Sequence, residues 1–378
     1  MKIEQRRWET ESGWILEGDP LTKKAQLVFV FGATNTIKDL KRLKEIKDFY
    51  PQSEIIGCST AGEICGTRVY DDSLVVTAAH FEKSTIQVEK EKISEPSQST
   101  TVGEKLAQKL EKKGLVHVFV LSDGLKVNGS DLVKGLTKNL PSNVQVTGGL
   151  SGDGARFTET IVLSHGSAES GTICVIGFYG DKLKIGFGSL GGWDTFGPKR
   201  KITKSKGNVL FELDGKSALD LYKSYLGEHA SGLPATGLLF PLCLMTENNE
   251  KGVVRTILSV NESEKSMTFA GDIPEGEFAF LMRANFDRLI DGAQGAAKIC
   301  QQAINQPAEL AILISCVGRK LILKQRTEEE VEAVREIQGE STILTGFYSY
   351  GEIAPFIANF KCELHNQTMT ITTFSEEK

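Results

Sequence analysis

Short apolar runs alternate with amphipathic stretches along the chain, and this pattern occurs three times. In the first unit, the apolar run 27–31 is typical of a buried strand. In the stretch 37–50 that follows, apolar residues recur every three positions, which indicates a helix. A second apolar run then ends at Gly57. The order strand, helix, strand predicts a βαβ unit.

The second unit has strand-like runs at 116–124 and 144–149, with Ser130 as the expected N-cap of the helix between them. The third unit begins with a strand-like run at 310–319. Thr327 and Glu330 have the spacing of a capping box, which predicts the start of its helix. The run 343–353 closes this unit.

The three units end in similar segments, IIGCSTAGEI, VTGGLSGDGA and LTGFYSYGEI. In each, a strand runs into a glycine (Gly57, Gly148 and Gly346) and then into a serine-bearing turn. We expect these glycines at equivalent positions of parallel strands, where the backbone turns tightly or approaches another group closely.

Segment 160–213 reads as short strands separated by glycine turns, which is typical of an antiparallel meander. A long amphipathic helix is predicted at 286–304. We therefore predict an α/β protein with repeated βαβ units, mixed sheets and an antiparallel meander, in two halves that meet near 214–218. The expected domains are 25–215 and 216–362.

Charge and cysteine usage narrow the function classes. The 44 basic and 49 acidic residues give a net charge of −5, so no basic surplus supports nucleic-acid binding. The seven cysteines are irregularly spaced and form no CxxC pair, which disfavours a disulfide framework or a zinc site and fits a reducing cytoplasm. No signal-peptide core and no apolar run of about 18 residues is present, so we expect no membrane partner.

Two short motifs resemble catalytic or cofactor loops. Segment 186–191 is a literal GxGxxG, but no helix pattern follows it, so a glycine-rich hairpin is favoured over a dinucleotide site. Segment 57–62 resembles a nucleophile elbow but misses its spacing by one residue. The five histidines lack the context of a general base, so a hydrolase is disfavoured.

Polar side chains gather at the predicted carboxyl ends of the strands, where ligands of α/β sheets bind. Glu63, Asp153 and Glu352 follow the turns of the three units, and they either line a cleft or satisfy local N–H groups. Arg319 either offers a fork to an anion or pairs with one of these acids. The candidate ligand-binding residues are Cys58, Ser59, Thr60, Glu63, Ser151, Asp153, Trp193, Cys316, Arg319, Tyr348 and Glu352.

This mixture suits an amino acid as the ligand. Arg319 would bind its carboxylate, the acidic side chains its ammonium group, and Tyr348 or Trp193 would cover an apolar or cationic part. Among the histidines, His229 lies after a predicted helix in an accessible, loop-like segment, which a metal or haem ligand requires. The alternative is that His229 is a plain surface histidine. His80 is the second candidate for a haem ligand.

Six segments taken together resemble the FIST family, with its N-terminal and C-terminal FIST domains, over roughly residues 25–360. They are IIGCSTAGEI, GGLSGDG, GGWDTFGP, ITKSKGNVLFELDGKSALDLYKSYLG, SCVGR and LTGFYSYGEI. The resemblance implies a bacterial or archaeal intracellular sensory protein that binds a small ligand such as an amino acid. Some members resemble nitric-oxide-sensing haem proteins that regulate a histidine kinase or a cyclic-di-nucleotide enzyme.

Two classes of function stay open. One is a sensory binder without catalysis, whose output passes to a separate partner such as a histidine kinase, a diguanylate cyclase or a phosphodiesterase, because only SEEK follows Phe374. The other is an enzyme that uses a serine or a cysteine at the same cleft, with Cys58 or Cys316 as the nucleophile if its pKa is depressed. The cofactor is unknown, and the resemblance leaves haem b open.

Overall fold

The computed structural model describes residues 1–246, 249–355 and 361–377. It is a mixed α/β structure with parallel and antiparallel strand pairs, which confirms the fold class. Three structural repeats follow one another along the chain, and a further antiparallel sheet is inserted into the third repeat.

The first repeat contains two short helices between its parallel strands. Its elements are β1 (Lys2–Glu9), β2 (Gly13–Glu17), β3 (Leu27–Gly32), α1 (Thr34–Ile37), α2 (Leu40–Phe49), β4 (Glu54–Ser59), β5 (Glu63–Cys65), β6 (Arg68–Tyr70) and β7 (Leu74–His80).

The second repeat has a helix before each of its parallel strands. Its elements are β8 (Thr85–Lys92), a 3₁₀ turn (Pro96–Gln98), α3 (Ser99–Lys109), β9 (Leu115–Ser122), α4 (Gly129–Lys138), β10 (Gln145–Leu150), β11 (Val162–Ser164), β12 (Ser167–Glu169) and β13 (Thr172–Tyr179).

The third repeat begins with β14 (Leu183–Leu190) and is then interrupted by the inserted sheet. The insertion comprises β15 (Asp194–Lys206), β16 (Val209–Leu213), β17 (Lys216–Ser217), α5 (Ala218–Leu226), two 3₁₀ segments (Gly227–Gly232 and Ala235–Leu239), β18 (Leu242–Thr246), β19 (Asn249–Arg255), β20 (Ile257–Asn261), β21 (Ser266–Phe269) and β22 (Phe278–Arg283). The repeat then resumes with α6 (Phe286–Ile304), β23 (Leu310–Cys316), α7 (Val317–Leu323), a 3₁₀ turn (Lys324–Arg326), α8 (Thr327–Gln338), β24 (Ile343–Ser349), β25 (Gly351–Pro355), β26 (Cys362–His365) and β27 (Met369–Glu376).

Each repeat builds one sheet around a parallel pair, and the repeats exchange hairpins. The parallel pairs are β3 with β4, β9 with β10 and β23 with β24. The last strand of each repeat (β7, β13 or β27) lies antiparallel on one side of its pair. On the other side lies a hairpin from a different repeat: β5–β6 joins β24, β11–β12 joins β4, and β25–β26 joins β10. Each of these three sheets therefore contains strands from two repeats.

The central strands are apolar on both faces because both faces are buried. Phe29 and Phe31 of β3 point into a core shared with Phe119 of β9 and Phe347 of β24, with ring centroids 5.8 Å apart for Phe29 and Phe119. The alternating residues of β3 pack in a separate core with Ile46 of α2. The three sheets therefore face one aromatic interior and carry their helices outside.

Gly57, Gly148 and Gly346 lie at equivalent positions of the second parallel strands, as predicted. A Cβ built on any of them would overlap the backbone carbonyl of the paired first strand, at Val30 for the first repeat and at Val120 for the second. The close approach that requires glycine is thus between the two parallel strands.

The GxGxxG segment lies in β14 except for its last residue, Gly191, and it forms neither a hairpin nor a dinucleotide loop. A Cβ on Gly186 or Gly188 would come 2.5 Å from the carbonyl oxygen of Cys300 or Ala296. These glycines therefore let α6, which has the predicted bounds, lie directly on β14. The strands between 160 and 213 are present, but they are distributed over four sheets.

Three local predictions are wrong. The strand predicted at 310–319 ends at Cys316, and Arg319 lies in α7. The capping box of α8 does not form, because the side chain of Glu330 is buried and bonds elsewhere. The N-cap of α4 is Asn128, not Ser130.

The inserted sheet has eight antiparallel strands and a core of its own with α5. It includes β15 and β16 before residue 215 and β18 to β22 after it. The boundary predicted between residues 215 and 216 lies within this sheet, between β16 and β17, and the division into 25–215 and 216–362 stays a prediction.

Candidate functional site

The carboxyl-end turns of the three repeats lie against one another. The amide of Ala61 donates to the carbonyl of Tyr348 at 2.8 Å, and the amide of Tyr348 donates to Gly62 at 2.8 Å. The amide of Gly152 donates to the carbonyl of Ser59 at 2.9 Å. The fold thus brings together the strand ends that the sequence singled out, but their side chains are buried.

Glu63 and Glu352 occupy equivalent buried positions. Glu63 accepts from the Thr60 hydroxyl and, through Oε2, from the Ser73 hydroxyl at 2.7 Å and amide at 3.2 Å. Glu352 accepts from Ser349 at 2.5 Å and from the Thr368 hydroxyl and amide at 3.0 and 3.2 Å. Burial raises the pKa of Glu63 to about 7 and that of Glu352 to about 8. Both carboxyls satisfy local donors, which was one of the two predicted alternatives.

Asp153 also binds its own loop. Its carboxylate accepts from the amides of Phe157 and Thr158, both at 2.8 Å, and from the hydroxyl of Tyr350. Burial opposes ionisation, but these donors together lower the pKa of Asp153. Asp153 therefore tethers the second turn to the third repeat as a carboxylate.

Arg319 is fully buried in an ion pair with Glu330. Its Nε and Nη2 donate to Glu330 at 2.9 and 2.7 Å, and its remaining N–H groups reach the carbonyls of Gly191, Leu289 and Gln367. All five donors of the guanidinium have protein acceptors. The structure therefore gives no support to the expectation that Arg319 offers a fork to a ligand.

Glu330, which the sequence suggested only as a helix cap, accepts hydrogen bonds from three buried side chains, Ser315, Arg319 and Tyr348. Its second oxygen accepts from the hydroxyls of Ser315 at 2.9 Å and Tyr348 at 2.7 Å. Tyr348 is therefore a structural donor in this arrangement, and its ring is covered by Lys320 at 5.6 Å. The sequence could have indicated this role, because Glu330 is an acidic residue on the predicted core-facing side of α8.

The candidate nucleophiles are enclosed. The hydroxyl of Ser59 accepts from the amide of Ile161, and that of Ser151 donates to the carbonyl of Ser122. Cys58 and Cys316 are buried, and burial raises the pKa of both thiols. A thiolate nucleophile requires the opposite shift, so the enzyme alternative gains no support from these residues.

Two buried amide side chains stand out in the turn 366–368, which precedes β27. Asn366 and Gln367 are 1% and 0% exposed, and both polar atoms of each side chain lack a hydrogen-bond partner among the described residues. Trp193, which is half-buried, donates to the carbonyl of Gln367 at 2.9 Å. Sequence reasoning missed both amides.

The equivalent turns of the other repeats do not share this feature. Each turn has one left-handed residue: Asp72 (φ 54°), Gly171 (φ 63°) and Gln367 (φ 62°). Asp72 is exposed and Gly171 has no side chain, so only the third repeat buries an amide side chain at this left-handed position. A Cβ on Gly318 would overlap the amide of Gln367, so this glycine makes room for it.

The two histidines suggested for haem lie in different parts of the fold. His229 is exposed in a 3₁₀ segment, with its ring 5.4 Å from that of Phe240. His80 lies at the end of β7, with Nδ1 2.8 Å from the carbonyl of Lys24. Neither lines the cavities found near residues 4–53 and 198–281. The cavities therefore add no support to a haem ligand at His229 or His80, and both assignments stay predictions.

The described residues contain no group of three or more metal-ligating side chains. Likewise, none of the helices described here is long and apolar enough to cross a membrane.

Fold and site together define an α/β protein of three βαβ repeats, whose strand-end polar residues are buried and linked by hydrogen bonds. The chain belongs to the FIST family: the FIST N domain matches residues 26–216 and the FIST C domain matches residues 218–355. FIST domains are associated with sensory signal transduction, and FIST sensory domains bind small ligands.

The chain is 25% identical over 377 residues to the uncharacterized protein MJ1623 of Methanocaldococcus jannaschii, covering 88% of this chain and 70% of that protein. Among solved structures, a cyanuric acid hydrolase from A. caulinodans matches at 7% identity with a TM-score of 0.34, over 94% of this chain and 91% of that one. A likeness at this level carries no argument about function.

Proposed function

We propose that this protein is a sensory binder of a small zwitterionic ligand, an amino acid, and that the ligand is held at the turn 366–368. The observation that carries the proposal is the pair of buried, unpartnered amides of Asn366 and Gln367. Leaving such a group unpaired costs about 1–3 kcal/mol, so a ligand that pairs with it recovers this free energy.

The chemistry of the two amides matches an amino acid. Each offers one carbonyl oxygen as acceptor and one NH₂ group as donor. The NH₂ groups can donate to a carboxylate, and the carbonyl oxygens can accept from an ammonium group. Neither amide carries a net charge, so a ligand with both charges and no net charge is favoured.

Trp193 lies between this buried turn and the solvent. Its indole donates to the carbonyl of Gln367, and it is partly exposed while the amides are not. It follows Gly191 and Gly192, and Gly192 has a φ of 85°. A ligand would reach the turn by displacing this side chain, whose ring would then cover the ammonium group.

Arg319 couples the turn to the rest of the repeat. The same guanidinium binds Glu330 and the carbonyl of Gln367. Movement of the turn on binding would therefore reach α8 through Glu330. We propose that this change is read by a separate protein, a histidine kinase or a cyclic-di-nucleotide enzyme, in the cytoplasm.

The test is Gln367→Met, which keeps the length of the side chain and removes its polar atoms. Calorimetric titration of the wild type with each protein amino acid, one at a time, should identify one that binds, and the variant should lose that binding. The ligand-free variant should melt at the same temperature or higher, because an unsatisfied buried amide has been removed.

Gln338→Met is the matched control. Gln338 is also buried, but its amide donates to the carbonyl of Ala297 at 3.0 Å. This variant should lose stability and keep the ligand. Equal losses of stability in both variants, with no amino acid bound by the wild type, would refute the proposal.

A further inference from the structure

A polar cavity lies at the amino ends of β3 and β4, and none of its lining residues belongs to the turn 366–368. Its volume is about 430 Å³, and β1, residues 20–25 and residues 49–53 line it. Small-molecule sites commonly have volumes of about 300–1,000 Å³. Ligands of α/β sheets usually bind at the opposite, carboxyl ends of the strands, which is why sequence reasoning did not consider this end.

The wall of the cavity contains a buried carboxylate that orients an arginine. Glu4 is 4% exposed and accepts from Arg6 Nε at 2.6 Å, from the Tyr50 hydroxyl at 2.5 Å and from the Leu21 amide at 2.6 Å. The guanidinium of Arg6 also lies over the ring of Phe49, 4.6 Å from its centroid. The guanidinium of Arg6 is therefore held at its Nε edge by Glu4 and on one face by Phe49.

The other edge of Arg6 is free. Neither of its Nη groups donates to an acceptor within the described parts of the chain, although Nε is fully engaged. Two Nη groups side by side form a fork that matches the two oxygens of a carboxylate or of a phosphate. A guanidinium held by a buried acid, with its fork unoccupied, is an arrangement suited to binding an anion.

The charges of the residues that line the cavity also favour an anion. Arg6, Lys23 and Lys24 line the cavity against the single acid Glu4, in a protein whose net charge is −5. Lys24 donates to Gln52 at 2.8 Å, and Lys23 lies 3.5 Å from the exposed carboxylate of Glu82. The cavity is therefore locally positive.

We propose that this cavity binds a small organic oxyanion, whose carboxylate or phosphate is held by the Nη fork of Arg6 and whose apolar part contacts Phe49. The aromatic ring and the neighbouring Leu21, Pro20 and Pro51 provide the apolar contacts. This proposal is independent of the amino-acid site, because no lining residue belongs to the turn 366–368.

The probes are benzoate and phenyl phosphate, with uncharged benzamide as the comparison, titrated calorimetrically into the full chain. We expect at least one of the two anions to bind at least tenfold more tightly than benzamide. Tighter binding of benzoate would identify a carboxylate as the natural group, and tighter binding of phenyl phosphate a phosphate. Binding of neither anion at millimolar concentration would overturn the proposal.

Arg6→Gln should weaken binding of the preferred anion at least tenfold. The matched control is Arg7→Gln, because Arg7 is the next residue of β1 and already pairs with Glu9 and Glu17. It should leave affinity within about twofold, because Arg7 does not line the cavity and its charge is already paired. Equal effects of the two substitutions would show a general charge effect and overturn the proposal.

A second variant covers the case in which Arg6→Gln does not fold because Glu4 loses its partner. Lys23→Gln combined with Lys24→Gln changes two exposed side chains at the rim. This variant should bind the preferred anion several-fold more weakly and with a smaller dependence on salt. Unchanged affinity and salt dependence would contradict a site at this cavity.

Discussion

Arg319 and Glu330 form an ion pair in which both side chains are fully buried, with Nη2 of Arg319 2.7 Å from Oε2 of Glu330. Arg319→Met would leave the carboxylate buried with only the hydroxyls of Ser315 and Tyr348 as donors. Removing one partner of a buried pair costs about 3–5 kcal/mol. We therefore expect a clear fall in the free energy of unfolding, measured by urea denaturation.

Arg326→Met is the control for this loss. Arg326 pairs with Asp287 and Glu329 at the surface, where ion pairs contribute about 0–1 kcal/mol. If the two substitutions destabilised the protein equally, the buried pair would not have the structural role assigned to it.

The raised pKa values of Glu63 and Glu352 predict a pH-dependent stability. Unfolded glutamate titrates near 4.3, whereas burial raises the folded pKa values to about 7 and about 8. The folded state therefore binds more protons, and stability falls as pH rises through these values, by at most about 1.4 kcal/mol per pH unit for each group.

The window for this test is pH 6.5–8. Below it, His117 and His365 act in the opposite direction, because burial lowers their pKa values to about 3 and about 4. Urea denaturation at both limits should show a less stable wild type at pH 8, and Glu63→Gln with Glu352→Gln should remove most of the difference. An unchanged slope in the double variant would contradict the assignment.

The glycines of the parallel strands should not tolerate a side chain. Gly148 has a φ of 146°, and a Cβ there would overlap the carbonyl of Val120. We expect Gly148→Ala to cost about 1–3 kcal/mol through overpacking, in addition to the strain of a side chain at this positive φ. Gly66→Ala is the control, since Gly66 has a φ of 59° with no atom near its Cβ; strain alone costs about 1–2 kcal/mol there. Thermal melts that rank the two variants the other way would refute the steric argument.

Thiol labelling tests the enzyme alternative. All seven cysteines are buried, so we expect a thiol reagent to label fewer than one cysteine in the native protein and all seven in denaturant. Leu40→Cys adds a thiol at a position that is 80% exposed, and this thiol should react at once. Rapid native labelling of Cys58 or Cys316 would reopen the nucleophile hypothesis.

The sequence predicted the helices and strands better than the contacts between them. Helix 286–304 was predictable because its apolar stripe is long. The run after Cys316 was not, because a short apolar stretch fits a strand or a helix equally well. The glycines were predictable because their requirement is local and steric.

The site was harder to predict because its contacts join distant segments. The donors to Glu63 and Glu352 include Ser73 and Thr368, which lie in the next turn of each repeat. Arg319 was expected either to bind an anion or to pair with a strand-end acid, but its partner in the structure is Glu330 of α8. Such partners depend on the path of the backbone, which the residue pattern at the strand ends does not encode.

The exchange of hairpins has a consequence for how the chain folds during synthesis. Strand β5 follows β4 by three residues, yet it pairs with β24, which begins at Ile343. The sheet of the first repeat likewise stays incomplete until β11 of the second repeat pairs with β4. A ribosome must therefore deliver nearly the whole chain before the first repeat can complete its contacts, and pairings this distant in sequence form slowly. Until β11 and β24 have been synthesised, β4 and β5 each lack one strand partner, and nascent chains are prone to aggregation.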